Sequence, residues 1–504
     1  MASVDRDPQA LAIVDGDTRL TYAQWYRRIS GLVAGLQAMG LARGDHVLTA
    51  MQNRWENASL HWACQFAGII ITPLNWRTKA DEFDHAISDS SAKAVFFEDI
   101  TKGALNASTQ AAGLPRKSAH DLAVMMQETA PLAMPVAAVD DISLMLYTSG
   151  TTSKPKGVPR RHRAERASVL AHVAQNLYRH GERTLGVMPL YHTMGVRSLI
   201  ACSLIGGTFI CLPRFDAGKA IDLIETEAIT NLYLVPTLYH DVYHHPAFSS
   251  DRVRSVTKLG YAGASMTDGL LRKLDDAFKP DLFVNHYGSS EIYTFTIEQK
   301  AAAKPGSAGR AGINQMIRVV RLNADHPNDL AKAGEEGEVI ALAKSDEAFD
   351  GYWNRPEATK KSLRDGWYFT GDTGFFDKDG DLFVTGRVDD MIITGGENVS
   401  PVEVESCLSL HEAVAEVAVV GLADERWGKI VTAFVKRRGA VTAEELDEHC
   451  KVSGLANFRR PRRVVFVEDI PKSPVGKILR RLLVAGQYRE EQHTLTTPSK
   501  SLAE

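Results

Sequence analysis

Residues Tyr147–Gly157 read YTSGTTSKPKG, which gathers hydroxyls, glycines and lysines around one proline in a single short loop. Such a loop could wrap a polyphosphate. Glycine lets backbone N–H groups turn toward anionic oxygens, and hydroxyl and ammonium groups add donors around them. The Walker spacing GxxxxGK[ST] is absent. An ordinary Ser/Thr/Gly surface turn has the same composition, so this loop by itself leaves both readings open. Other segments could join it. Gly260-Tyr-Ala-Gly-Ala-Ser265 is built of small residues that let a flat ligand approach the backbone. Asn285-His-Tyr-Gly-Ser-Ser-Glu291 combines aromatic rings, hydroxyls and a carboxylate. Tyr368-Phe-Thr-Gly-Asp372 and Gly386-Arg-Val-Asp-Asp390 add an acid and a base, and Pro471-Lys-Ser-Pro-Val-Gly-Lys477 sets a lysine on a stiff turn. Each has a plain reading alone: a packed tyrosine, a hairpin aspartate, a solvated lysine. Together, in this order from Tyr147 to Lys477, they argue for one site.

The elements that must hold these segments alternate. Asp45–Ala50 reads as a strand, Trp55–Ala67 as a helix and Gly68–Pro73 as a strand. Strand patterns recur at 94–97, 142–147, 184–188, 208–212 and 231–235, with a helix at 217–227. This alternation predicts layered α/β structure with largely parallel sheets. From Ile317 the strands shorten, and Lys378-Asp-Gly-Asp381 marks a hairpin tip. A smaller unit follows Arg387. It has helices at 401–410 and 442–452, the second opened by a Thr-Ala-Glu-Glu capping box, and strands at 417–421 and 431–436. The Thr/Ser/Lys-rich tail after Gln492 reads as disordered.

A chain of 504 residues needs more than one core. Its formal net charge of −4 lacks the basic excess of a nucleic-acid binder. The five cysteines are scattered and without CxxC spacing, which argues against a disulfide framework or zinc site and fits a reducing compartment. The N-terminus carries acids where a signal peptide would be basic and then apolar. The apolar run Ser198–Leu212 is broken by Gly206-Gly207 and is short for a bilayer. These features predict a cytoplasmic protein without a membrane or nucleic-acid partner.

The ordered segments resemble the adenylate-forming superfamily of acyl- and aryl-CoA synthetases, luciferases and peptide-synthetase adenylation domains. Within it the chain is most similar to the aryl-CoA ligases. Met188-Pro-Leu-Tyr-His192, Gly386–Asn398, Gly421–Gly428 and Arg459-Arg-Pro-Arg462 carry that similarity. Two positions depart from the pattern. Ser153 stands where the loop usually has glycine, and Ser290 replaces a threonine while keeping its hydroxyl. The implied fold is α/β: a large multi-subdomain N-terminal domain, residues 1–388, with layered sheets and flanking helices. A small mobile α+β C-terminal domain, 389–504, follows. The implied reaction is ATP-dependent ligation of an acid to CoA through an acyl-adenylate, with small molecules as partners and a homodimer left open.

The resemblance also implies roles. Thr148, Ser149, Gly150, Thr151, Thr152 and Lys156 would hold the terminal phosphates. Glu291, with Thr148, would bind Mg²⁺. Ser290 would meet the α-phosphate and Tyr287 would stack on the adenine, with Gly263 and Ala264 on its other side; Gly288 and Ser289 would also border the nucleotide. Asp372 and Arg387 would meet the ribose. Lys477 would bridge the acid and the α-phosphate, and Asp389 would be the hinge. Arg77, Gly395, Gly396, Trp427, Phe458 and Arg460 would receive CoA, although Trp427 also reads as a core residue. His192, Met194, Gly195, Arg197, Tyr239, Gly263, His286, Tyr293 and Thr294 would border the acid, with Ala171 and Tyr261 nearby. His192 could equally be structural, and Arg197 could be spent on a salt bridge or solvent. The run Arg160-Arg-His-Arg163 reads as a solvated helix start rather than a CoA contact. The polar rings favour a small aromatic or heteroaromatic acid. Loading of a carrier-protein phosphopantetheine is the competing reading, and medium-chain or alicyclic acids are competing substrates.

Overall fold

The computed structural model describes residues 1–148, 155–472 and 478–491. The chain divides into two compact units. The first comprises 1–266 and 270–384, the second 267–269 and 385–504.

The first unit contains a six-stranded sheet, in the order Arg116–Ser118, Ala94–Phe97, His46–Ala50, Ile70–Pro73, Ile142–Thr148, Lys156–Arg161. Its pairings are parallel except for the last, which is antiparallel. The inner strands are buried along their length, as expected where helices cover both faces and the residues run continuously apolar. Helix Trp55–Ala67 provides one such crossover and ends at Gly68, whose φ of 68° is the left-handed C-terminal conformation. A larger sheet has a parallel centre: Thr208–Cys211, Arg183–Gly186, Asn231–Leu234, Lys258–Tyr261 and Leu282–Tyr287. It continues as antiparallel strands through Thr296–Glu298, Ser307–Ala311 and the hairpin that joins Trp367–Phe376 to Leu382–Arg387. The Asp/Gly tip of that hairpin lies where the turn residues place it.

The second unit is α+β. Its centre is an antiparallel hairpin, Val414–Asp424 against Gly428–Arg437, longer than the two short strands expected. Cross-strand pairing carries both strands past the apolar stretches that the sequence marks. Arg463–Phe466 adds in parallel to Gly428–Arg437, and Ile392–Thr394, itself paired with Glu397–Val399, meets the same strand at Gly428. Helix Pro401–Ser409 has proline at its first turn, and Thr442 caps Ala443–Val452 through the expected box. All five cysteines are free. Among the described residues no helix is long and apolar enough to cross a membrane.

Candidate active site

Thr148 lies opposite Lys156 in the antiparallel pair, which brings both ends of the phosphate-type loop together. Ser149, Gly150, Thr151 and Thr152, between them, fall outside the described residues. The Lys156 ammonium sits 4.0 Å from the centroid of the Tyr352 ring. The Tyr352 hydroxyl in turn donates to Glu291 Oε1 at 2.7 Å. Burial, with Glu291 beside it, pushes the Tyr352 phenol up, so it remains a donor. Tyr352 therefore links the loop cation to the acid, a role its sequence position did not suggest. The hard carboxylate oxygens of Glu291 suit Mg²⁺.

Glu291 is presented by a tight turn after Leu282–Tyr287. A Cβ on Gly288 would stand 2.1 Å from Tyr293 O, so only glycine fits there. Ser289 N donates to Ile292 O at 2.9 Å, and Ser289 Oγ accepts from Glu291 N at 3.2 Å. Ser290 is half-buried in the same turn. The Tyr287 hydroxyl donates to Asp372 Oδ2 at 2.6 Å, which joins the expected adenine and ribose residues. Gly263 and Ala264 are exposed, and Gly263 adopts φ 83°. Buried Tyr368 neighbours Tyr352, and burial, with the carboxylates of Glu291 and Asp372 nearby, raises its phenol.

The acid-side candidates come from several elements: the start of helix Thr193–Leu204, strand Leu282–Tyr287 and the residues after it, and helix Pro236–Tyr243. His192 caps this helix, its Nδ1 accepting from Met194 N at 3.3 Å. That contact gives His192 a structural role. A Cβ on Gly195 would clash with Pro189 O at 2.2 Å, so the first turn packs tightly on the preceding loop. Buried His286 pairs through Nε2 with Asn176 Oδ1 at 3.1 Å. Its ring centroid lies 5.1 Å from His172 and 5.0 Å from Tyr233, and His172 lies 4.9 Å from Tyr233. Burial holds both imidazoles well below their usual range, and Arg197 adds to the effect, so both are neutral. His172, Asn176 and Tyr233 escaped the sequence reading. The i, i+4 spacing of His172 and Asn176 is legible, but only the fold sets them against His286. Tyr293 is buried with guanidinium groups near its ring, Arg160 at 4.0 Å and Arg197 at 5.1 Å. Thr294 is buried beside it. Tyr239 spends its hydroxyl on Leu232 O and Gly260 O, at 3.0 and 2.9 Å, leaving only its ring for a ligand.

The readings of two arginines need correction. Arg160 is not part of a solvated helix start. It lies in strand Lys156–Arg161, fully buried, and donates to Glu165 Oε1 at 2.8 Å, Glu291 O at 2.9 Å and Glu347 O at 2.6 Å. The helix begins at His162. Strand alternation turns Arg160 inward, while Arg161 and Arg163 pair with Asp350 at the surface. Arg197 is neither solvated nor, among the described residues, in a salt bridge. It is 1% exposed, and its Nε and Nη1 lack partners.

In the second unit Gly395 adopts φ 59°, and a Cβ there would stand 2.7 Å from Trp427 Cε3. Gly395 N also donates to Trp427 O at 3.0 Å. Trp427 is only half-buried, so the core reading fails. Arg426 and Arg462 stand 5.0 and 4.8 Å from its ring centroid. Gly396 is exposed at φ 88°. Phe458 packs against this unit's core, and Arg460 is engaged with Asp447 at 3.0 Å and with Asn457. Arg387 ends its strand in the second unit. Lys477 and the Asp389 side chain lie outside the described residues. In the first unit, Arg77 is exposed and lies 3.7 Å over Trp76.

Residues 2–353 match the family described as AMP-binding enzyme, and 403–477 match the AMP-binding enzyme C-terminal domain. A 4-chlorobenzoate–CoA ligase of Arthrobacter sp is 35% identical over 490 residues, covering 95% of this chain and 93% of that protein. A long-chain-fatty-acid–CoA ligase of Mycobacterium tuberculosis is 33% identical over 507 residues, covering 99% and 98%. The structure of o-succinylbenzoate CoA synthetase from Bacillus subtilis, in complex with its acyl-adenylate intermediate, superposes with a TM-score of 0.83. It is 26% identical and covers 96% of this chain and 97% of that one. With the loop lysine, the Tyr352–Glu291 bond and the Tyr287–Asp372 bond all in place, the chain belongs to the AMP-binding enzyme family, among the acyl- and aryl-CoA ligases of the adenylate-forming superfamily.

Proposed function

We propose that the protein joins a small aromatic or heteroaromatic carboxylic acid to CoA, consuming ATP and releasing pyrophosphate and AMP. A carboxylate is a poor acyl donor because oxide would have to leave. Attack by the carboxylate oxygen on the α-phosphorus expels pyrophosphate and leaves an acyl-adenylate. The CoA sulfur then attacks the acyl carbon, and AMP departs. Lys156, Thr148 and the intervening loop steady the terminal phosphates. Glu291 would hold Mg²⁺, which would supply positive charge against the phosphates. Tyr287 and Asp372 position the nucleoside, the carboxylate accepting from ribose hydroxyls. Lys477 neutralises the two anions that must meet, and rotation about Asp389 follows. Asp389→Pro locks φ near −65°. It is expected to keep adenylation and lose most thioester formation, read by separate assays of the two steps.

The observation that carries the substrate class is the buried set His172, Tyr233 and His286 on the acid side. Polar rings of this kind favour a ring acid over a plain hydrocarbon chain, because buried polar groups without partners cost about 1–3 kcal/mol each. ATP–pyrophosphate exchange across aromatic, heteroaromatic, alicyclic and fatty acids tests it. Ring acids are expected to lead, and a preference for octanoate over all of them would refute the class.

Free CoA is favoured over a carrier protein by Trp427 with Arg426 and Arg462 about its ring. An indole face suits adenine and guanidinium groups suit phosphates. Trp427→Ala and Arg462→Ala are each expected to raise the KM for CoA about ten- to hundredfold. The dependence on ATP and acid should hold steady. Equal use of pantetheine and CoA by the native protein would favour the carrier reading.

A further inference from the structure

Arg197 presents an electrostatic problem that the protein does not solve by itself. The side chain is 1% exposed, yet no acid among the described residues comes within ion-pair distance, and Nε and Nη1 have no acceptor. A buried cation is normally retained only with a partner. Glu347 shares the neighbourhood, but its Oε1 is taken by Asn314 at 3.1 Å, its Oε2 has no partner, and it makes no ion pair with Arg197. Tyr233 gives the guanidinium a hydrogen-bonding contact, but a neutral phenol supplies no counter-charge. The Tyr293 ring, 5.1 Å away, is likewise a weak substitute for an anion.

Arg197 is not the sole donor in need. Asn176 Nδ2 lies 3.0 Å from His172 Nδ1, and Asn176 Oδ1 lies 3.1 Å from His286 Nε2. This network assigns the His172 proton to Nε2, and that atom is buried without a partner. Three nitrogen donors, two on Arg197 and one on His172, thus lack acceptors within one aromatic cluster. The cluster also has a place relative to the reacting end. Met194 Sδ lies 4.0 Å from where a Cβ on Gly263 would stand, in the segment assigned to the nucleotide. Arg197 is three residues further along the helix, about 4.5 Å deeper.

We infer that Arg197, with His172, is a specificity determinant that reads a second oxygen acceptor on the acid, on the side away from the carboxylate being activated. A second carboxylate and a neutral ring or substituent oxygen share this chemistry. The inference rests on the ring-acid ligase reading above and narrows it.

The test compares kcat/KM for adenylation of benzoate and cyclohexanecarboxylate with that of 2-furoate, 3-hydroxybenzoate and isophthalate. At least one oxygen-bearing acid should exceed benzoate by roughly ten- to hundredfold. A lead for isophthalate identifies a second carboxylate, and a lead for furoate or hydroxybenzoate a neutral oxygen. Arg197→Met should shrink that ratio toward one, and Arg197→Lys should restore part of it. The melting temperature of Arg197→Met should equal or exceed the native value, because an unpaired buried charge is gone. Should the variant fail to fold, the native ratio and the Arg197→Lys ratio decide. Benzoate used as well as every oxygen-bearing acid, or a ratio that survives Arg197→Met, overturns the inference and leaves the ligase reading intact. Adenylation of none of these acids overturns both.

Discussion

Glu291→Gln is expected to lower the rate of acyl-adenylate formation by about 10²–10³-fold, the size typical of losing one preorganised electrostatic contact to a transition state. The substitution is nearly isosteric, so the turn held by Gly288 and Ser289 should persist. The amide oxygen can still accept the Tyr352 hydroxyl, which now reaches Oε1 at 2.7 Å. Only the charge is lost, and a neutral amide is a poorer ligand for Mg²⁺ than a carboxylate. Tyr352→Phe separates the two roles. It keeps the ring beneath Lys156 and removes one hydrogen bond, so its effect should be about tenfold. ATP–pyrophosphate exchange, titrated with Mg²⁺, checks both variants. A Glu291→Gln enzyme within about threefold of native at every Mg²⁺ concentration would remove Glu291 from the reaction, since a residue worth roughly 3–4 kcal/mol to the transition state cannot be neutralised so cheaply.

Lys477→Ala should be at least as damaging, about 10³-fold, but to one half-reaction only. Before the acyl–phosphate bond forms, a carboxylate must approach a phosphate of the same sign. The Coulomb penalty at contact is about 1 kcal/mol in water and several times larger in a site from which water is excluded. The expected role of Lys477, in the Pro- and Gly-containing segment 471–477, is to offset it. Once the acyl-adenylate exists that repulsion is gone, so transfer to CoA from a supplied acyl-adenylate should run near the native rate. Single-turnover assays started from acid plus ATP, and separately from the adenylate, read the two steps. Equal damage to both would show that Lys477 acts throughout and that no exchange of roles accompanies the change of step.

Much of the fold was legible because it follows from local periodicity. Helix Trp55–Ala67 and strand Asn231–Leu234 emerge close to where the apolar spacing puts them. Thr442 and Pro401 mark helix starts for reasons confined to one turn. The second unit's hairpin runs longer than its apolar stretches, since its ends are held by partners across the ladder rather than by their own apolarity.

The candidate site divides along the same line. Lys156, Glu291, Tyr287 and Asp372 could be named from the sequence, because each sits in a short segment and the segments occur together in one order. Tyr352 could not, since its meaning lies in a bond to Glu291, distant in the chain. Arg160 looked like surface charge within a basic run. Its burial follows from strand alternation and from carbonyls offered by Glu291 and Glu347. Trp427 could be read from the sequence either as a CoA contact or as a core residue, and only its half-burial, with Gly395 and two arginines about its ring, separates the two. Residue types and their order determined the chemical family by themselves, since the groups needed to handle a phosphate, a metal and a nucleoside are few and must recur together. Which side chains are desolvated, paired or left wanting was decided by the tertiary structure alone. Burial and hydrogen-bond satisfaction are properties of neighbours in space, and for Arg197 those neighbours come from segments that the sequence keeps far apart.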